Sequence, residues 1–298
     1  MPVHFSGFIK TVLFSILIGC CMLAYNTSAA QVTVHEPTLI DSTWEKPYAP
    51  FRIVGNVYYV GTYELASYLI TTPKGHILIN TGLSSSAEMI KRNIEALGFK
   101  IADVKILLTN QAHFDHMGGM ADIQKMSYAK MMADAGDVAV IEDGGNSDYL
   151  FGGHGAIYQP LKVSRVLHDG DIISLGGMKL TLLHHPGHTK GSCSYLFTVH
   201  DAKRKYRVLI ANMPTMLDDV KPEGMPRYPN VGKDFEYTYN AMPKLKFDIW
   251  LAAHASQFDL HKKHKPGDQY NPAAFVDRPG YNKLLNKLHA DYLAKVKR

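Results

Sequence analysis

Val104-Lys105-Ile106-Leu107-Leu108-Thr109-Asn110-Gln111-Ala112-His113-Phe114-Asp115-His116 is the stretch on which the fold and chemistry of this 298-residue chain turn. Val104–Thr109 is an apolar run of strand length. Directly beyond it, His113, Asp115 and His116 place three metal-competent side chains within four residues. In extended backbone Gln111, His113 and Asp115 project to one side, because side chains alternate along a strand. His116 joins them only if the chain turns there, and Met117-Gly118-Gly119 supplies flexible backbone for such a turn. Imidazole and carboxylate are good ligands for Zn²⁺, and a catalytic zinc normally keeps three protein ligands and one open position. The bland alternative is a polar loop carrying two surface histidines. The H-x-D-H spacing after a buried strand favours the metal.

Outward from this stretch the pattern alternates. Asn56–Thr62, Ser67–Thr72 and His76–Asn80 read as strands, with turn residues between them. Ser84–Leu97 reads as a helix, with Ser86 as N-cap, Met89, Ile90, Ile94 and Leu97 as its apolar stripe and Gly98 as its stop. Asp171–Leu175, Met178–His184, Ser194–His200 and Tyr206–Ala211 are strand candidates, Phe235–Leu245 a helix, Ile249–Ala253 a buried strand, and the tail from Tyr281 a surface helix. Met213–Val231, with four prolines and one glycine, is expected to be loop. Strands with helices at intervals and no linker predict one α/β domain with helices covering sheets.

Two further clusters sit at strand ends. His184-His185-Pro186-Gly187-His188-Thr189-Lys190-Gly191-Ser192 follows an apolar run, and Pro186-Gly187 makes a tight turn that presents His188. His184 is expected to be buried and hydrogen-bonded. His185 can be a ligand or, more in keeping with its place, support a ligand from behind. His254 ends Ile249–Ala253 and could serve as a ligand or as a core polar residue. Three strand ends offering ligands on one chain weigh more than any one of them. His35, His76, His154, His168, His200 and His289 are scattered without ligand spacing, and His261 and His264, in a Lys-rich stretch, are expected on a solvated surface.

Composition bounds the rest. With 46% hydrophobic and 20% charged residues the chain is of ordinary globular type, and a formal charge of +5 with no basic block does not suggest nucleic acid. Residues 1–30 carry no acid, one Lys (Lys10), an apolar run Val12–Leu23 too short for a membrane span, and Ser28-Ala29-Ala30 as a cleavage site. They read as a signal peptide, leaving residues 31–298 as a single domain exported to the periplasm. Leu17-Ile18-Gly19-Cys20 also resembles a lipobox, so a lipid anchor on Cys20 is the alternative. Of the three cysteines only Cys193 lies outside this segment, so a disulfide framework is excluded. Nothing demands a dimer, and a monomer is expected.

Taken together, these residues resemble the metallo-β-lactamase superfamily, whose signature is H-x-H-x-D-H, then G-H-T, then a late His at a strand end. The resemblance runs from about Phe51 to Tyr281. Pro186–Ser192, His254-Ala255-Ser256-Gln257-Phe258-Asp259-Leu260, and Asn271-Pro272 through Phe275-Val276-Asp277 with Gly280-Tyr281 are most similar to subclass B3. The resemblance implies a four-layer αβ/βα sandwich, two mixed sheets flanked by helices, with metals at one edge. It implies a first zinc site of Gln111, His113 and His188 and a second of Asp115, His116 and His254, with one or two zincs per chain. Gln111 stands where His is usual, as in a small branch of subclass B3. A neutral amide oxygen is a weaker ligand, so the second site is expected to be the tighter one. Asn80 replaces a usual Asp whose role is structural. Asn212-Met213 offers neither the bridging Asp of thioesterase and lactonase relatives nor the Cys ligand of other β-lactamases. The implied activity is hydrolysis of penicillins, cephalosporins and carbapenems by a zinc-bound hydroxide. Asp115 would orient that hydroxide, and Thr215 would lie near the substrate carboxylate. A secreted hydrolase of a lactone or thioester is the alternative. Ser192 and Ser256 are expected to give hydrogen-bond support, Cys193 to be buried packing, and Gly144-Gly145-Asn146-Ser147-Asp148 to suit a substrate rim.

Overall fold

The computed structural model describes residues 1–3, 32–38, 41–202 and 204–297. The signal segment expected over 1–30, beyond its first three residues, and Cys20 lie outside the described residues. Four antiparallel strands open the first sheet: β1 (Phe51–Val54), β2 (Val57–Tyr59), β3 (Tyr68–Thr72) and β4 (Gly75–Ile79). After α1 (Ala87–Ala96), β5 (Val104–Leu108) lies parallel to β4. The single-turn helix α2 (Phe114–Met117) and α3 (Met120–Ser127) lead to β6 (Lys130–Asp134), and α4 (Val138–Glu142) precedes β7 (Arg165–Leu167), both strands again parallel to their neighbours. The second sheet holds β8 (Ile172–Leu175), β9 (Met178–His184), β10 (Cys193–Asp201) and β11 (Arg204–Ala211), all antiparallel. After α5 (Val231–Ala241), β12 (Ile249–Ala252) joins β11 in parallel, and α6 (Leu260–Lys263) and α7 (Arg278–Val296) follow. The sheets therefore run β1 to β7 in sequence order and β12-β11-β10-β9-β8.

The layering follows from strands that are apolar on both faces. In β4, Ile77 and Ile79 point into the core shared with Tyr195, Phe197, Val208 and Ile210 of the second sheet. Leu78 points the other way, with Leu69 and Leu107, against Ile90 and Ile94 of α1 and Ile123 of α3. The outer side of the second sheet is covered through aromatic packing: Tyr281 of α7 lies edge-on to Trp250 of β12, and Phe235 of α5 stacks on Tyr292 of α7. Two mixed sheets between helical layers are the αβ/βα sandwich that the resemblance implies.

Several local readings change. β1, β6 and β7 escape the strand pattern: β1 has four residues and β7 three, two of them exposed, while β6 (Lys130-Met131-Met132-Ala133-Asp134) holds no β-branched or aromatic residue. The second-half helix starts four residues earlier than expected, at Val231, and finishes as a 3₁₀ turn over Met242–Lys244, where Pro243 removes an amide donor. α7 begins at Arg278, before Tyr281, because the Asp277 carboxylate accepts from the Gly280 amide. Ser86 stands at the N-cap of α1, yet its hydroxyl serves the Leu83 amide, and a 3₁₀ turn over Ser84–Ser86 leads into the helix. His264 is not solvated: its ring stacks on Phe51 at 3.5 Å, which buries it despite the lysines beside it.

Candidate metal centre

The site lies where β5, β9, β11 and β12 end. Asn80, in left-handed backbone (φ 61°), accepts the Asn110 amide at 2.9 Å and donates through Nδ2 to Asn110 Oδ1, also at 2.9 Å. Asn110 in turn donates from Nδ2 to the Cys193 carbonyl and accepts the Cys193 amide, so the end of β5 is tied to the start of β10 in the other sheet. This is the structural role expected at position 80. Gln111 and His113 then project from the extended backbone.

The alternation does not reach Asp115. His113 caps α2, and the single helical turn places Asp115 and His116 side by side, with Asp115 Oδ2 3.2 Å from His116 Nε2. The turn therefore comes from a helix and not from loose glycine backbone. Gly118 and Gly119 have ordinary negative φ. A Cβ on Gly118 would stand 2.4 Å from the Ser84 nitrogen, so close approach is what demands glycine there.

His254 arrives from the far side, at the end of β12, with Nε2 3.3 Å from the same Asp115 oxygen. One ligand atom each of Asp115, His116 and His254 lies within 4.8 Å of the others. A strap at Glu64–Ala66 runs beside this strand end: Ala66 and Ala255 donate to the carbonyls of Ala253 and Glu64. It brings Glu64 Oε1 to 3.7 Å from His254 Nδ1, and Ser256 Oγ and the Ser256 amide also donate to that carboxylate. Burial lowers the His254 pKa, but the Asp115 and Glu64 carboxylates outweigh it and raise it to about 9. Burial likewise pushes the Asp115 carboxyl up, but His116 and His254 hold it well below the usual carboxylate range.

The other three expected ligands share the cavity. Gly187, at φ 130°, turns the chain against the Phe235 ring and presents His188, whose Nδ1 donates to the Thr215 carbonyl at 2.6 Å. That bond leaves Nε2 as the free nitrogen. Burial drives the His188 pKa down to about 3, so the ring is neutral and ligand-competent. The rings of His113 and His188 are 4.7 Å apart. Gln111, His113, Asp115, His188, Thr215 and His254 all line one cavity of about 560 Å³, with His116 buried beside His254. Thr215 thus touches the site twice, as a wall residue and through the carbonyl that orients His188.

Buried, unpartnered polar atoms test whether these residues fit a metal. Gln111 Oε1 and both ring nitrogens of His116 are buried without a hydrogen-bond partner. Each such atom costs about 1–3 kcal/mol unless something satisfies it. A cation at each of the two positions would satisfy Gln111 Oε1 and one of the two His116 nitrogens, and donor sets of amide oxygen, carboxylate and imidazole suit zinc.

The remaining expectations fall around this core. His185 is not at the cavity: its Nδ1 pairs with Ser194 Oγ, which accepts the Asn212 amide beside Met213. His184 is half-buried, 2.8 Å from Asp134 Oδ2. Ser192 Oγ accepts the Thr189 amide, and Cys193 is buried with Sγ 3.5 Å from the Thr109 carbonyl. Sequence reasoning missed Glu64, Asp137 and Trp44, and took Asp148 only as part of a substrate rim. Asp137 bridges the two motifs, accepting from the Ala112 and Gly191 amides and the Thr189 hydroxyl, and burial raises its pKa to about 6. Trp44 packs 5.9 Å from the His254 ring and walls the cavity. None stands in a ligand-like pattern. The one available signal was the glycine-rich context of Asp148.

Comparison with known proteins gives consistent likenesses. Residues 64–201 match the family model described as the metallo-beta-lactamase superfamily. A beta-lactamase from Chitinophaga pinensis is 55% identical, with a TM-score of 0.88, over 89% of this chain and 100% of that one. The class B3 di-zinc metallo-beta-lactamase LRA-12 from an Alaskan soil metagenome is 58% identical, with a TM-score of 0.87, over 88% and 99% of the two chains. Among curated sequences, a hydroxyacylglutathione hydrolase of Rhodopseudomonas palustris is 26% identical over 130 residues, 44% of this chain and only 42% of that relative's length.

Proposed function

The chain belongs to the metallo-beta-lactamase superfamily, and from that premise we propose that it hydrolyses the β-lactam amide bond of penicillins, cephalosporins and carbapenems with zinc, conferring resistance to them. The observation that carries this reading is the 58% identity to a class B3 di-zinc enzyme over 99% of that enzyme's chain. Asp115, His116 and His254 would hold one zinc, and Gln111, His113 and His188 the other. Zinc supplies Lewis acidity there and lowers the pKa of a bound water to about 7. Asp115 remains a carboxylate at neutral pH, so it can orient the attacking water and hold a proton on its way to the departing amide nitrogen. Thr215 lines the wall where the substrate carboxylate would rest.

Gln111 gives this chain its own character. A neutral amide oxygen holds the first zinc more weakly than imidazole would, so the Asp115 site fills first and the chain carries one zinc at limiting supply and two at excess. Export is part of the same reading: residues 1–30 act as a signal peptide, and the monomeric enzyme meets its substrate in the periplasm. No described helix is long and apolar enough to cross a membrane.

The test is turnover of a chromogenic cephalosporin before and after chelation, with zinc counted per chain. Chelation abolishes turnover and zinc restores it. Activity that survives complete zinc removal would contradict the proposal. The likeness to a hydroxyacylglutathione hydrolase favours a thioester as the rival substrate class. Asn212-Met213, in place of the bridging Asp of those relatives, speaks against it. Parallel assays with a thioester and a lactone decide between them.

A further inference from the structure

Gly144-Gly145-Asn146-Ser147-Asp148, which the sequence suggests as a substrate rim, places a buried carboxylate behind a ligand. Gly144 and Gly145 both take positive φ (69° and 87°) and pack against Tyr158 and Ile157, so a β-carbon at either would meet its neighbours. The Arg227 guanidinium holds the carbonyls of Asn146 and Asp148. The result is that Asp148, an exposed residue by type, is buried. One oxygen, Oδ1, accepts the amides of Leu150 and Phe151 at 2.8 and 2.7 Å. The other, Oδ2, lies 3.3 Å from His113 Nε2, without the alignment of a full hydrogen bond. Phe151 completes the arrangement by packing edge-on to the His113 ring at 5.0 Å.

We infer that Asp148 is a positioning residue for the first metal position: it keeps the His113 proton on Nε2 and so presents the Nδ1 lone pair to the metal. This rests on the assignment of Gln111, His113 and His188 to that position. The argument is one of donors and acceptors. A carboxylate only accepts, so the ring nitrogen facing it must donate, and a neutral imidazole then has its lone pair on the other nitrogen. An anionic partner also makes the imidazole a stronger ligand, as carboxylates behind metal-bound histidines generally do. That matters most here, where the neighbouring ligand is the neutral Gln111.

Asp148→Asn separates this role from simple support of the loop. Asparagine is isosteric, and the Leu150 and Phe151 amides can be served only by its oxygen. Its NH₂ group then faces His113 Nε2 and forces that nitrogen to accept, which moves the ring proton to Nδ1 and blocks the metal. A loop-holding role predicts no change from this variant. The experiment is titration of the metal-free full chain with Zn²⁺, repeated with Co²⁺ to read each position from its absorption bands. In D148N the weaker of the two affinities should fall roughly ten- to a hundredfold, with the tighter site retained as the internal check on folding. Two equivalents bound as tightly as in the parent would overturn the proposal. His188→Ala is the control on the premise: if it keeps both metals, the ligand assignment fails and the proposal falls with it. If H188A loses the weaker site and D148N does not, only the role of Asp148 is refuted. A measurement on the unmutated zinc-loaded protein stands apart from any folding defect. Nitrogen NMR of the histidine rings should show His113 protonated on Nε2, and a proton on Nδ1 would refute the inference.

Discussion

Charge at single residues sets the terms on which the site takes up metal. In the metal-free chain His254 sits between two carboxylates and keeps its proton up to about pH 9, whereas His188, neutral above about pH 3, has none to give. His116 is held low by burial and Asp115 is already ionised. Filling the Asp115–His116–His254 position at pH 7 should therefore displace about one proton, the one on His254. The sign follows: below pH 9 the proton competes with the metal, so affinity at this position rises as pH rises from 7 towards 9 and then levels off. Calorimetry in buffers of different ionisation enthalpy reads the released proton directly, and a heat independent of buffer would contradict it. At this scale much was legible. The six candidate ligands are distinctive by type and spacing, and all meet around one cavity or beside it. Glu64 and Asp148 were not legible, because a carboxylate that acts on a ligand from behind carries no spacing signature of its own.

Element-scale packing explains why the strand-end motif folds as it does. α2 is only one turn long, too short to be stable by itself. It persists because Gly118 and Gly119 let the chain pass against the backbone at Thr81–Ser84, where the Thr81 amide and hydroxyl donate to the His116 carbonyl. Gly118→Ala would push a methyl group into that backbone. It should destabilise the fold by about 1–3 kcal/mol, seen as a Tm lower by several degrees, and should weaken zinc binding at Asp115 and His116 together. Equal stability of variant and parent would show that the contact is not tight. Buried strands such as β4, β5 and β12 could be read from their continuous apolar runs. α2 could not, because a single turn has too few residues for a period to show, and β7 could not, because its exposed side chains carry no core pattern.

Across the whole molecule, the metal centre depends on two sheets meeting at one edge. Asn110 is the clamp, fully buried, bonded to Asn80 on one side and to the Cys193 backbone on the other. Asn110→Ala would leave the Cys193 carbonyl without its side-chain donor and Asn80 Nδ2 with only the long 3.5 Å contact to the Ala66 carbonyl, at a cost of about 1–3 kcal/mol. The expected outcome is a lower Tm by chemical or thermal melt together with looser zinc binding at both positions, since ligands from β5 and from the β9–β10 turn would lose their common anchor. Loss of stability with unchanged affinity at both positions would show that the sheets hold their register without it. By itself, the sequence determined the strand-and-helix alternation, the layered fold class and the identity of the candidate ligands, because apolar periodicity and the chemistry of His, Asp and Gln are local properties. Only the tertiary structure decided how those ligands are aimed. Which nitrogen of His188, His254 or His113 faces the cavity is set by Thr215, Glu64 and Asp148, partners between 27 and 190 residues away in sequence. Such partners are chosen by the packing of loops and sheet edges, and no local pattern encodes that packing.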